Sequence, residues 1–432
     1  MSSLIKLIKK TYQMAAPHER KVVLDNVASL SILQTITYIL PVIILPYLFR
    51  VLGPEKFGLI AFAQAFVQYF MILTDYGFNV SATKEISLCR HQPSKVSQAF
   101  SAVMTVKIAL AFLSLLIFSL TVYFVPKFRE DWMVYALSFG AVVGNTLFPI
   151  WFFQGIEKMK HIANLNIIGG FAYAFLVLLF VKGPQDYLAI PIINSCVPLI
   201  IALLGQHIVF RTFKVAFKVP DYAQIRRQLE GGWDIFISIA AINAYTTTRV
   251  FVVGLLTNNT TTGFYSIAEK IANVCQTFPL ASFSQAIFPR LSKIFHRNKI
   301  KALVMMQHIQ QITVRIALLC LPLIYIFSDF IVSIVCGGDY PETVLSLRLL
   351  LTAVFFVSAN AFRVQFLLVC GKTDLYSKIH VTMALIGLPL IFLLAYSFSY
   401  IGVAGATVVI EAGIFTITYF VVKGVIRELS KS

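Results

Sequence analysis

The chain has 432 residues, of which 58% are hydrophobic and 13% charged, with 36 Lys and Arg against 19 Asp and Glu. Soluble domains run at about a quarter charged, so these few charges cannot coat two or three of them, and a water-soluble enzyme is excluded. The net charge of +17 reads as a topology signal rather than a nucleic-acid footprint, because nucleic acid needs a solvated basic face that this composition lacks.

Taken in chain order, residues 1–21 set Leu4, Ile5, Leu7 and Ile8 against Lys6, Lys9 and Lys10, the pattern of a short interfacial amphipathic helix. No signal peptide is expected there. Charge-free runs then mark spans near 26–49, 57–74, 108–126, 132–155, 162–181 and 187–210. A basic linker at 211–229 follows, then apolar segments near 230–256, 263–289, 304–328, 342–369, 375–398 and 402–424. A span needs about 20 apolar residues, so the expectation is an all-α integral membrane protein of about 12 transmembrane helices. They fall into two six-helix lobes, 22–210 and 230–424, with a tail at 425–432.

With both termini on the cytoplasmic side, the inner segments collect 25 Lys and Arg and the outer loops five (Arg50, Lys56, Lys127, Arg129 and Lys182). That asymmetry is a positive-inside bias and sets the orientation of the chain. Every loop is too short to fold as a catalytic domain. Gly371-Lys372-Thr373 matches the end of a phosphate-binding loop, but Phe366 stands where the earlier glycine is required. The six cysteines have no metal-ligand spacing, and no cofactor or metal is expected.

The two halves align at an offset of 205, with Asp25 on Glu230, Gly58 on Gly263 and Gln64 on Glu269. Paired six-helix halves are the architecture of an alternating-access transporter with its site between the lobes. Six cations fall inside spans: Lys107, Arg249, Lys270, Arg315, Arg348 and Arg363. Each costs about 2.5–3.5 kcal/mol at mid-helix if it faces lipid, so it must snorkel or line a wet cavity. Lys107 is expected to snorkel at the start of its helix, whereas Arg315 lies too deep to do so.

Helical spacing groups the polar residues into stripes: Asp234, Ser238, Tyr245 and Arg249; Arg348, Thr352 and Arg363; Asn26, Gln34 and Pro41; Gln64, Gln68 and Asp75; Lys270 and Asn273. Glu269 points away from Lys270 toward a neighbouring helix. Stripes in both halves predict a shared aqueous cavity in which Arg249, Lys270, Arg315, Arg348 and Arg363 bind an anion. Asp25, Asp75, Asp234, Glu269 and Glu411 would neutralise these cations or carry protons. Pro41, Pro46 and Pro279 interrupt the first and eighth spans and are candidate gates.

Particular runs of residues carry a resemblance. Leu45-Pro46-Tyr47-Leu48-Phe49-Arg50-Val51-Leu52-Gly53, then Phe57-Gly58, Asp75-Tyr76-Gly77-Phe78 and Ala82-Thr83-Lys84-Glu85-Ile86 resemble the N-terminal signature of Wzx-type polysaccharide flippases. So does Phe148-Pro149-Ile150-Trp151-Phe152-Phe153-Gln154-Gly155-Ile156-Glu157-Lys158-Met159. The resemblance implies the polysaccharide transport branch of the multidrug/oligosaccharidyl-lipid/polysaccharide exporter (MOP) superfamily, with its MATE-like fold. It implies movement of undecaprenyl-diphosphate-linked O-antigen or related repeat units from the cytoplasmic to the periplasmic leaflet. It also implies a lateral opening between the first and eighth helices, and a proton or sodium gradient as the driving force. The bilayer is the medium, and polysaccharide polymerase and chain-length machinery are candidate partners. The matched motifs end near residue 160, so the five cavity cations rest on burial and charge alone. The rivals are a multidrug or cation antiporter, expected to have an acidic lumen, and an O-antigen polymerase or ligase, expected to have a large outer loop.

Overall fold

The structure is a computed structural model that describes the backbone of residues 17–431. It describes the side chains of these residues other than 17–39, 41, 42, 278–290, 292, 293, 296, 297, 300 and 428–431. The described residues form α-helices and one 3-10 turn, with no strand among them. The first half contains α1 (Pro17–Asp75), α2 (Phe78–Cys89), α3 (Pro93–Phe124), α4 (Pro126–Glu130), α5 (Trp132–Leu147), α6 (Ile150–Gly155), α7 (Met159–Phe180) and α8 (Ala189–Arg211). The second contains α9 (Tyr222–Thr246), α10 (Thr248–Leu256), α11 (Asn259–Arg297), α12 (Lys299–Ile326), α13 (Ser328–Cys336), α14 (Pro341–Val369) and α15 (Thr373–Lys431).

The local sequence explains where these helices begin and turn. Asp221, Asn258 and Asn298 cap α9, α11 and α12 by accepting from the amides of Gln224, Thr261 and Lys301 at 2.7, 2.8 and 2.8 Å. Proline opens α3, α4 and α14, where its missing N–H costs nothing. At 59 residues, α1 would run about 88 Å if straight, far more than the ~30 Å hydrocarbon core of a bilayer. It breaks at Gly53 (φ 73), a backbone conformation that glycine adopts without a Cβ clash, and Pro54 opens the second arm. The equally long α15 breaks at Ser399 (φ 54). These breaks divide α1 and α15 where the charge-free runs each divide into two spans.

Among the described residues, eight helices are long and apolar enough to cross a membrane, or nine if α9 and α10, bent by 46°, form one span. The count is lower than twelve because the two broken helices run through paired spans and part of α11 lies outside the described side chains. Below, the Gly53 end is the end of the bundle that holds the turn at Gly53, α4 and Gly337. The basic end is the one rich in Lys and Arg.

In the first half, Trp151, Phe152 and Phe153 of α6 are fully buried, and Trp151 packs against Phe100 of α3 at 5.4 Å. The motif run at 148–159 thus forms core at the basic end. A second aromatic cluster joins Phe62 and Phe66 of α1 to Phe118, Phe128 and Tyr135. Phe251 of α10 enters it 5.4 Å from Phe62, so this cluster crosses between the halves.

The halves approach most closely through the second arm of α1 and α11. A Cβ on Gly58 would lie 1.8 Å from the Asn259 carbonyl oxygen, and one on Gly263 2.1 Å from that of Pro54. Gly58 and Gly263 differ by 205 in number, as do Pro54 and Asn259, so the two contacts are reciprocal. A two-fold relation between the halves would produce this arrangement.

Candidate functional site

Each half holds a cavity. The polar one, of about 580 Å³, lies in the second half among α9, α10, α11, α14 and α15. Arg249, Glu269 and Glu411 carry its charge, and Tyr245, Asn273 and His380 are among its polar groups. The bend between α9 and α10 places Arg249 three residues after the end of α9, where its Nε lies 3.8 Å from Glu269 Oε1 and donates to the Tyr245 carbonyl at 3.3 Å. Tyr245 hydroxyl pairs with His380 Nδ1 at 3.0 Å, and their rings lie parallel. Both members of the Arg249–Glu269 pair are about 14% exposed. With one arginine and two carboxylates, the wall can present a cation to an anion or a carboxylate to a cation, depending on whether the pair is closed.

The second cavity, about 490 Å³, lies in the first half and is mostly apolar. Asn145, Asn166, Asn194 and Tyr173 stand among Met71, Leu165 and Ile201 on its wall. The Asn145 and Asn194 amide nitrogens are buried there without an acceptor among the described residues.

Of the five predicted cavity cations, the structure places Arg249 on the polar wall, together with the predicted residues Glu269, Asn273 and Glu411. The other four are elsewhere. Lys270 rests over the Phe57 ring at 5.0 Å. Arg363 lies over the rings of Phe415 and Tyr419 at 4.8 and 5.2 Å. Arg348 is fastened near the Gly53 end, donating to Ser328 Oγ at 2.8 Å and Asp329 Oδ2 at 2.5 Å. Arg315 is exposed on the outer face of α12.

Lys107 corrects the expectation of snorkelling. Its side chain is 1% exposed, and its ammonium donates to Asp75 Oδ1 at 3.1 Å and to the Asn145 carbonyl at 3.5 Å. A carboxylate brought in from α1 makes burial affordable where water would otherwise be needed.

Gln64 and Gln68 are half-buried on the second arm of α1, and Asp234 is exposed on α9. Pro46 lies within the first arm, which stays helical until Gly53. The side chains of Asp25, Gln34, Pro41 and Pro279 lie outside the described residues. Sequence reasoning missed Gln276, Asn360, Tyr376 and His380 on the polar wall. The four-residue spacing of Tyr376 and His380 on one helical face was the available signal.

Side chains also fasten the halves to each other. At the Gly53 end, Arg50 of α1 donates to the Ile334 and Val335 carbonyls at the C-terminus of α13. Lys127 of α4 donates to the Leu255 and Thr257 carbonyls at the C-terminus of α10, at 3.1 and 2.6 Å. Burial pulls the Lys127 ammonium below its ordinary pKa, and Glu130 opposes this. Mid-seam, the Tyr69 hydroxyl lies 2.7 Å from Thr248 Oγ1. At the basic end, Gln228 Nε2 donates to Glu85 Oε2 at 2.7 Å, and the Tyr76 ring stacks on Phe236 at 4.9 Å.

Comparison with known proteins agrees with this architecture. The family model described as polysaccharide biosynthesis protein matches residues 23–295, more than half of the chain. The chain belongs to this family. A relative from Escherichia coli (strain K12), whose name refers to O-antigen transport, is 31% identical over 388 residues, covering 88% of this chain and 91% of that protein. A similarly named family relative from Shigella dysenteriae is 26% identical, covering 93% of this chain and 99% of its own. Among solved structures, the lipid II flippase MurJ in an inward closed conformation superposes with a TM-score of 0.73 at 13% identity, covering 91% of this chain and 87% of MurJ. An inward-facing MATE family transporter of the MOP superfamily gives 0.68 at 12% identity, covering 93% of this chain and 99% of that one. These likenesses give the family member the expected MATE-like fold, which it shares with MurJ. It is a multi-pass protein of the bacterial inner membrane.

Proposed function

We propose that the protein flips a lipid-linked polysaccharide repeat unit across the inner membrane. The finer reading is that the cargo is carried on undecaprenyl diphosphate and the route is alternating access between the two halves. The observation that carries it is the polar cavity in which Arg249 is held by Glu269 with Glu411 close by. A diphosphate can compete with Glu269 for the guanidinium, since arginine binds phosphate oxygens in two-pronged fashion. A coupling cation, proton or sodium, neutralises the carboxylates and frees Arg249 for the cargo. The names of the O-antigen relatives and the MurJ-like fold support the same cargo class.

The test uses reconstituted protein and a lipid-linked oligosaccharide. Arg249→Ala should abolish translocation, and Glu411→Gln should make the rate insensitive to an imposed proton or sodium gradient. Full translocation by Arg249→Ala would overturn the cargo assignment, and a wild-type rate indifferent to both gradients would overturn the coupling. A second reading is favoured by the excess of carboxylates on the same wall: export of an organic cation held by Glu269 and Glu411. Cells producing the protein would then gain resistance to lipophilic cations, and Arg249→Ala would retain it.

A further inference from the structure

The outer face of α12 carries polar residues at a depth where a membrane offers only hydrocarbon. Val304, His308, Gln311, Arg315, Leu318, Pro322 and Tyr325 follow one another at alternating four- and three-residue steps, and all are exposed. That is the spacing of a seam between two helices crossing at a shallow angle. The opposite face of α12 is occupied by its own half: Ala302, Met306, Gln310, Ala317 and Leu321 are buried, and Gln310 Nε2 donates to the Ala359 carbonyl of α14 at 2.5 Å. Among the eight candidate spans, α12 is the least buried.

Arg315 lies near the middle of the candidate span Lys301–Ile326, too deep for its side chain to reach either interface. Among the described residues no carboxylate pairs with it. One turn further, the seam runs into an apolar groove of about 350 Å³ between α12 and α14, walled by Leu318, Pro322, Tyr325, Ile326, Phe355 and Phe356. From His308 to Ile326 the surface is about 27 Å long, close to the hydrocarbon thickness.

We infer that this face docks a single transmembrane helix of another membrane protein, one that presents a carboxylate to Arg315 at mid-bilayer. Charge selects that occupant. A second copy related by a two-fold axis along the membrane normal would set Arg315 against its own duplicate. A resting lipid would lay its chains, not an anionic head, along Gln311 and Arg315. A helix with an acid at matched depth and apolar residues beyond it satisfies both the stripe and the groove, and interhelical hydrogen bonds to Gln311 and His308 add to the fit.

The test is photo-crosslinking in the native membrane, with a photoreactive residue at Gln311 or Leu319 of the full chain and at the lipid-facing Phe112 of α3 as control. Expected is an adduct from α12 and none from Phe112, mapped to a membrane span bearing Asp or Glu near its centre. Arg315→Leu should lower its yield by at least about tenfold at equal membrane abundance. Arg315→Glu, combined with Lys in place of the partner's acid, should restore it. Adducts only to lipid or lipid-linked glycan, or only to a second copy, would overturn the inference. So would no adduct at all, or a yield unchanged by Arg315→Leu. The readout is independent of translocation, so a failure here leaves the proposed cargo untouched.

Discussion

Lys107 and Arg315 stand 14 and 16 residues into the third long helix of their respective halves, yet they find opposite surroundings. One is turned inward onto Asp75, the other outward onto the membrane. Removing the acid strands the buried ammonium, so Asp75→Asn should destabilise the detergent-solubilised protein by about 3 kcal/mol, and Lys107→Met by less because Asp75 is 31% exposed. The double variant should cost less than the sum of the two. Thermal unfolding of the four proteins measures this coupling, and strict additivity would show that the pair is not energetically joined. Depth was legible in the sequence because charges count along it, but the rotation of each helix about its axis was not. Lys107 was therefore misread as snorkelling, and Arg348 gave no hint of Asp329, its partner 19 residues back at a helix end. On the polar wall the charged members Arg249, Glu269 and Glu411 were legible, because charge inside an apolar run stands out. Among the neutral amides Asn273 was legible from its spacing to Lys270, whereas Gln276 and Asn360 were not.

At the scale of the element, the Gly53 end is closed by main chain against main chain. Gly58→Leu puts a side chain where the Asn259 carbonyl sits, and Gly263→Leu does the same against Pro54. Either variant should insert and fold but hold that end apart. Spin labels on α4 and α13 should then report longer distances, and translocation should be lost. Distances unchanged from wild type would show that the helices slide to make room. Gly231, with nothing within 4 Å of an added Cβ, is the control: Gly231→Ala should be neutral or stabilise α9 by up to about 1 kcal/mol. The apolar runs located the helices but not their first turns: α9, α11 and α12 begin at Tyr222, Asn259 and Lys299, ahead of the runs near 230–256, 263–289 and 304–328, because polar first turns capped by Asp221, Asn258 and Asn298 carry no hydropathy signal. The bend between α9 and α10 was not foreseen: no proline or glycine marks Thr246–Thr248.

Across the whole molecule, one seam is fastened at both ends by different chemistry. Arg50 and Lys127 satisfy carbonyls at helix C-termini, where a positive charge also meets the negative end of the helix dipole. Gln228 and Glu85 close the opposite end. If the halves rock against each other, the two sets oppose one another. Arg50→Ala with Lys127→Ala should populate states open at the Gly53 end, and Gln228→Ala states open at the basic end. Each hydrogen bond contributes about 1 kcal/mol, so Gln228→Ala should shift populations about fivefold, and the double variant, which removes four such bonds, should shift them further in the opposite sense. Label pairs at the two ends, read by pulsed spin-label distance measurements, check the sign. A shift in the same direction for both variants would point to general loosening. The all-α, MATE-like plan was legible from the long apolar runs and the motifs of the first 160 residues. The fasteners were not, since their acceptors are carbonyls that every residue possesses.

The reciprocal approach of Gly58 and Gly263 has one more consequence. A closure made of carbonyl oxygens and Cα atoms is indifferent to whatever lies in the cavities below it. On the proposed function, side chains on the polar wall can be exchanged, and with them the cargo that fits, without disturbing this contact. Diversification of the cavity and preservation of the contact between the halves would thereby be uncoupled, and two glycines without side chains are enough to keep them so.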